Sequence, residues 1–278
     1  MIIRKAYAKI NLTLNITGRR EDGYHTLDTI MQTVSLWDEV KIEKAGGISV
    51  ECGNLSGREN IACKAAEAFF AHTGKTGGTR ITIEKKIPAG GGLGGGSADA
   101  ASVLRGLNIL YNANLSNDGL RQIAAALGAD VPFLIEGGTA YCTGIGEKIS
   151  PVKFSNPSLA YCVCYPGVSA STRVMFEEID KHNIQKCDSQ KMLEALKRND
   201  ISGITASLHN DFLPVCRELI PQVGELEKLL YENNALGVSL SGSGSSLFGV
   251  FDSFEKAKQA EENIKAYAFA RAVTTVNC

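Results

Sequence analysis

The chain has no apolar stretch long enough to cross a bilayer. Its most apolar run, Leu159-Ala-Tyr-Cys-Val-Cys-Tyr165, falls far short of the roughly 20 residues a spanning helix needs and reads as a buried strand. An excess of charge of either sign is missing too. The 29 Lys and Arg stand against 30 Asp and Glu, a formal net charge of −1, so no basic field attracts nucleic acid and no like-charged run forms an interaction tail. The eight cysteines form no C-x-x-C pair, and the four histidines do not cluster with them, which argues against a zinc site. The N-terminus, Met1-Ile-Ile-Arg-Lys-Ala-Tyr7, lacks the apolar stretch of a signal peptide and is strand-like from the start. The expectation is a soluble cytoplasmic protein without disulfides, most of its cysteines buried as small hydrophobes and Cys278 an exposed thiol. Internal repeats and low-complexity tracts are absent. With 44% hydrophobic residues over 278 positions, the chain can build two ordinary domains or one large one.

Glycine, by contrast, is concentrated in one line, Pro88-Ala-Gly-Gly-Gly-Leu-Gly-Gly-Gly-Ser-Ala98. Before it, Arg80-Ile-Thr-Ile-Glu-Lys-Lys-Ile87 alternates as a half-buried strand does. After it, Ala100, Val103, Leu104, Leu107 and Tyr111 fall on one stripe of a helix that Ser97 can cap. A glycine-rich turn that opens a helix bares backbone N–H groups at the positive end of the helix dipole, which suits phosphate. Better-known glycine loops do not match. No lysine follows these glycines as a P-loop requires, and Gly74-Lys75-Thr76 has Phe69 where that pattern needs glycine. Gly90, Gly92 and Gly95 satisfy G-x-G-x-x-G, but the helix runs into Asn112-Ala-Asn114 where a dinucleotide fold expects a strand ending in an acidic residue. The bland alternative is a flexible connector, for which nearly pure glycine is a poor choice because ordering it costs extra backbone entropy.

Elsewhere, Ile10, Leu12, Leu14 and Ile16 alternate with Asn11, Thr13 and Asn15, so Lys9, Asn11 and Thr13 share one face of a strand. Thr33–Glu43 reads as a strand broken by a turn. Asn60–Ala71 and Ser116–Leu127 read as helices, the second with Gly128 as its C′ residue. The turn-prone Ser155-Asn-Pro-Ser158 suggests a boundary near 152. Beyond it come a strand over 159–165, helical segments through 174–232, a strand–loop–strand over Leu236–Phe251 and a helix from about Ser253 to Ala266. The strand–loop–strand holds a second small-residue loop, Ser241-Gly-Ser-Gly-Ser-Ser246, either a plain hairpin connection or, paired with the glycine loop, a lid over phosphates.

Phosphoryl transfer needs positioning, charge stabilisation and a group to take the attacking hydroxyl's proton. Asp130, in Leu127-Gly-Ala-Asp-Val-Pro-Phe133, is the candidate base, on a turn stiffened by Pro132; its bland reading is a cap or turn residue. Lys9 is the candidate cation, otherwise a solvated charge on a strand.

Ala8-Lys-Ile-Asn-Leu12, Asp22-Gly-Tyr-His-Thr26, Pro88–Ala98, Leu127-Gly-Ala-Asp-Val-Pro132 and Ser241-Gly-Ser-Gly244 stand in the order and spacing of one family. Over essentially its full length the chain resembles the galactokinase, homoserine kinase, mevalonate kinase and phosphomevalonate kinase (GHMP) superfamily, and within it the branch whose substrate carries a cytidine diphosphate. The doubled triple glycine around Leu93 and the Gly-Tyr-His element are specific to that branch. One departure is Ser241, where the last loop often begins Gly-Thr-Gly or Gly-Ser-Gly.

The resemblance implies an α+β, two-domain fold: a ribosomal-protein-S5-like N-terminal domain over 1–152 and a ferredoxin-like C-terminal domain over 153–278, with the active site between them. It implies an ATP- and Mg²⁺-dependent small-molecule kinase, monomeric or homodimeric, that phosphorylates the 2-hydroxyl of the cytidine diphosphate conjugate of methylerythritol. Asp130 would be the general base, and Lys9 would hold it ionised and orient the hydroxyl. ATP would lie on Asn60, Ile61 and Lys85 and on Pro88, Ala89, Gly90, Gly91, Gly92, Leu93, Gly94, Gly95, Gly96, Ser97 and Ala98, with Ser97 near Mg²⁺. Tyr24 and His25 would hold the cytosine, and Asn11, Thr172, Ser241 and Gly242 would contact the rest of the substrate. The alternatives are another kinase of the superfamily, whose substrate has no base for Tyr24 and His25 to hold, and a non-catalytic nucleotide or sugar-phosphate sensor, which would not need Lys9 and Asp130 together.

Overall fold

The computed structural model describes residues 1–154, 159–182 and 187–277; the turn expected at 155–158 and the exposed thiol expected at 278 lie outside them. The chain forms two compact units, each assembled from separate stretches: Met1–Ala8, Leu36–Ile87 and Gly94–Gly137 in one, Lys9–Ser35, Pro88–Leu93 and Gly138–Cys278 in the other. Two long strands, β1 (Ile2–Arg19) and β2 (His25–Ala45), run on from unit to unit.

In the first unit, the second half of β2 pairs antiparallel with β4 (Gly78–Glu84), and β4 pairs parallel with β3 (Ser49–Glu51). Four helices complete it: α1 (Ile61–Thr73), α2 (Gly95–Leu110), α3 (Asn117–Ala125) and α4 (Val131–Glu136). The expected stripe of α2 is its buried one, with Ala100, Val103, Leu104 and Leu107 all inside. Asn60 caps α1 through its side chain, which accepts from Ala62 N–H.

Four local expectations are corrected here. Residues 33–43 contain no turn. Val34, Leu36, Asp38, Val40 and Ile42 are all buried, so the period-2 pattern runs straight through Trp37-Asp38-Glu39. Asp38 imitates a turn signal because it is charged, but it sits in phase with the apolar residues. Ser97 does not cap α2; the helix starts earlier, from Gly94 in the left-handed region at φ 69°, and Ser97 lies in its first turn. Gly128 is not a left-handed C′ residue, because α3 ends at Ala126 in right-handed geometry and the chain turns directly into α4. Pro132 does not stiffen a turn but sits in the first turn of α4, where its missing N–H costs no helical hydrogen bond.

In the second unit, β1 and the first half of β2 make a hairpin, joined by β8 (His209–Asn210) parallel to β1, by β5 (Thr139–Gly144) antiparallel to β2, and by β6 (Lys148–Val152) antiparallel to β5. A separate four-stranded antiparallel sheet has the order β11 (Phe269–Thr274), β7 (Ala160–Tyr165), β10 (Leu247–Phe251), β9 (Gly237–Leu240). Six helices accompany these strands: α5 (Thr172–Ile179), α6 (Ser189–Arg198), α7 (Ile201–Ala206), α8 (Phe212–Leu219), α9 (Pro221–Glu232) and α10 (Phe254–Ile264). One apolar cluster joins the four-stranded sheet to α5, α8, α9 and α10, with Cys162 and Cys164 of β7, Phe212 and Cys216 of α8, Leu226 and Leu230 of α9, and Leu247 and Phe251 of β10. No cysteine among the described residues forms a disulfide, and all of them except Cys187 are buried. No described helix is long and apolar enough to span a membrane.

Candidate active site

In the first unit, α2 starts from a glycine and no side chain caps it, so the N–H groups of its first turn face outward at the positive end of the helix. Below that turn is a buried charge cluster. The Lys85 ammonium bonds to Asp38 and, at 2.7 Å, to Oδ2 of Asp99. Asp38 is fully buried, and its Oδ1 also accepts from Lys86 N–H at 2.5 Å and Ile87 N–H at 2.8 Å, the two residues that lead into Pro88. Burial pushes the Asp99 carboxyl up to about 7, against the pull of Lys85 and helped by the charge of Asp38. Burial pulls the Lys85 ammonium down, but the two carboxylates outweigh it and raise the group above the ordinary lysine value. A methyl group on Gly95 would lie 3.3 Å from Lys85 Nζ, so this cation stands against the backbone at the helix start. Ile61 lies beside Gly96, 3.5 Å from where its Cβ would be. Asp130 is half-buried at the N-cap position of α4, with right-handed φ and ψ, and its carboxylate does not cap the helix.

In the second unit the polar face of β1 is buried, with Lys9, Asn11, Thr13 and Asn15 all inside. Lys9 Nζ donates to Asn11 Oδ1 at 2.7 Å, and the same oxygen accepts from Gly242 N–H at 2.8 Å. The Lys9 N–H donates to Leu93 O at 3.0 Å. The two small-residue loops touch directly: Ser241 Oγ donates to Gly92 O at 3.0 Å, and Ser246 N–H to Gly91 O at 3.0 Å. Thr172, first residue of α5, shares a 3.1 Å hydroxyl–hydroxyl hydrogen bond with Ser243. Lys9, Asn11, Thr172, Ser241 and Gly242 are therefore gathered with the first half of the glycine loop.

Tyr24 and His25 stand at the turn of the β1–β2 hairpin. Thr26 bonds to Thr17, and β1 runs on to Arg19, eight residues past Asn11, which places the hairpin turn roughly 26 Å along the strand from Asn11 at about 3.3 Å per residue. His25 stacks on Phe176, ring centroids 4.7 Å apart, and its Nε2 is 2.6 Å from Asp180 Oδ1. Sequence reasoning missed Asp38, Asp99, Phe176 and Asn210. Of these, Asp38 left a signal, a carboxylate in phase with a buried strand pattern.

The family model described as GHMP kinases N terminal domain matches residues 60–138, and the GHMP kinases C terminal model matches 192–269. A 4-diphosphocytidyl-2-C-methyl-D-erythritol kinase of Desulfitobacterium hafniense is 40% identical over 257 residues, covering 91% of this chain and 88% of that one. Its counterpart from Caldicellulosiruptor bescii is 39% identical and covers 98% and 96%. A crystal structure of a 4-(cytidine 5'-diphospho)-2C-methyl-D-erythritol kinase superposes with a TM-score of 0.82 at 34% identity, covering 99% of both chains. A mevalonate kinase of Methanococcus jannaschii shares the fold, TM-score 0.75 at 14% identity. With both domain models matched and relatives this similar along nearly the whole chain, the protein belongs to the GHMP kinases, ATP-dependent enzymes acting on small molecules, and within them to the 4-diphosphocytidyl-2-C-methyl-D-erythritol kinase family.

Proposed function

We propose that the enzyme transfers the γ-phosphoryl group of ATP to the 2-hydroxyl of 4-(cytidine 5'-diphospho)-2-C-methyl-D-erythritol, yielding the 2-phosphate and ADP, in non-mevalonate isoprenoid synthesis. The observation that carries this reading is the buried Lys9, bonded through Asn11 to Gly242 and through its own backbone to Leu93 of the glycine loop. A lysine taken out of water and tied to two glycine-bearing loops is placed for anionic groups rather than for solubility. Residue by residue, Asp130 takes the proton of the attacking hydroxyl, Lys9 supplies positive charge, and the loop from Pro88 to Ala98 holds the ATP phosphates with backbone N–H groups. Asn60, Ile61 and Lys85 border the nucleotide. Asn11, Thr172, Ser241 and Gly242 face the substrate, and Tyr24 and His25 lie toward its cytosine.

Mg²⁺, when bound on ATP, neutralises charge on the phosphates. Among the described residues no three His, Cys, Asp or Glu side chains converge to hold a metal. A Mg²⁺ carried by ATP needs only one or two protein oxygens, which the Ser97 hydroxyl in the first turn of α2 fits. An ATP-consumption assay tests the whole reading. Cytidylylated methylerythritol should be turned over, while free methylerythritol, mevalonate and homoserine should be poor substrates. Preference for one of the last three would reassign the substrate, and no turnover of any would favour a sensor.

A further inference from the structure

The loop that meets Lys9 is clamped from behind by a side chain with no assigned role. Asn210 lies in β8, in register with Leu14 of β1, and is 3% exposed. Its Nδ2 donates to two carbonyls of the second loop, Leu240 O at 2.8 Å and Gly242 O at 2.9 Å, and its Oδ1 accepts from Phe212 N–H at 2.9 Å. The two carbonyls belong to the peptides on either side of the 241–242 peptide. That middle peptide carries the N–H that donates to Asn11 Oδ1, the oxygen that also receives the Lys9 ammonium. Asn11 is fixed at its other end as well, donating to Thr29 Oγ1 at 2.8 Å. Gly242 has no side chain of its own to hold its peptides in place. An amide suits the task because its two N–H donors match two carbonyls while its oxygen is used elsewhere. In a buried, fully bonded chain of this kind, each hydrogen bond polarises and orients the next.

We propose that Asn210 is a positioning residue for phosphoryl transfer: by clamping the peptides that flank 241–242, it fixes the Asn11 oxygen that aims the Lys9 ammonium. The inference rests on the role of Lys9 stated above. It is tested by a double-mutant cycle of Asn210→Ala and Lys9→Met, measured as kcat and KM for ATP. Asn210→Ala alone should lower kcat about tenfold or more and change KM for ATP less than about threefold. In the Lys9→Met background the same substitution should cost less than about twofold, since there is no ammonium left to aim. A merely structural residue would exact its full cost in both backgrounds, and that additive result overturns the proposal, as does wild-type kcat in a folded Asn210→Ala protein. If Lys9→Met alone keeps wild-type turnover, the role given to Lys9 falls and the relay falls with it. Should Asn210→Ala not fold, Asn210→Ser, with a single short donor that cannot span both carbonyls, enters the same cycle with the same expectations.

Discussion

Tyr24 and His25 are neighbours in sequence but differ in what they have left for a ligand. The His25 side chain is 8% exposed, with one face on Phe176 and its Nε2 held by Asp180. Tyr24 is 63% exposed, and its backbone N–H bonds to Asp22, which fixes the turn and leaves the ring outward. A planar base arriving at this hairpin therefore meets the tyrosine ring first. Tyr24→Ala should raise KM for the cytidylylated substrate by about 5- to 150-fold, the equivalent of 1–3 kcal/mol for one aromatic–base stack, with a smaller effect on kcat. Tyr24→Phe should stay close to wild type. Steady-state kinetics decide it: an unchanged KM in Tyr24→Ala takes the tyrosine out of substrate recognition.

Among the elements, the glycine loop is constrained most tightly at its middle. Gly92 has φ +77°, and a Cβ on it would lie 2.1 Å from the Ser241 carbonyl oxygen, a backbone atom that cannot step aside cheaply. Gly92→Ala should cost about 2 kcal/mol or more in urea denaturation through backbone strain and loop separation. Gly46→Ala, at a site with open space and no positive φ, should stay within about 0.5 kcal/mol. A Gly92→Ala protein as stable as wild type would mean the two loops are not held together in solution. Much at this scale was legible in sequence, because period-2 and helical stripes are local: β1, β4, α1, α2 and α10 follow their patterns. The short α4 was not, since six residues beginning Val-Pro carry too little periodicity to separate helix from turn. The unbroken β2 was hidden because the buried charge of Asp38 is explained by Lys85 and by the N–H groups of Lys86 and Ile87, 47 to 49 residues away. Asn210 was hidden for a related reason, the two carbonyls it clamps lying 30 and 32 residues further along the chain.

For the whole molecule, the interleaving of the two units has a mechanical meaning. The second unit draws on Lys9–Ser35 and Pro88–Leu93 as well as on everything from Gly138, and β1 and β2 each continue from one unit into the other. Residues 153–278 alone would lack β1, β5 and β6 and the glycine loop, leaving the Ser241 and Gly242 contacts without their Gly92 and Asn11 partners. Such a fragment should show no cooperative thermal transition, whereas the intact chain should unfold in one. A sharp transition in the fragment, followed by circular dichroism, would show that the C-terminal strands and helices suffice by themselves. The hydrogen bond from Gly242 to Asn11 joins residues 231 apart in the chain. On a ribosome adding about 5–20 residues per second, Asn11 is made roughly 10–50 s before the loop that completes its hydrogen bonds. Through that interval the nascent strand carries a polar row with no finished burial site. The lysine centre can thus assemble only after the last loop emerges, making phosphoryl transfer among the final properties the growing chain acquires.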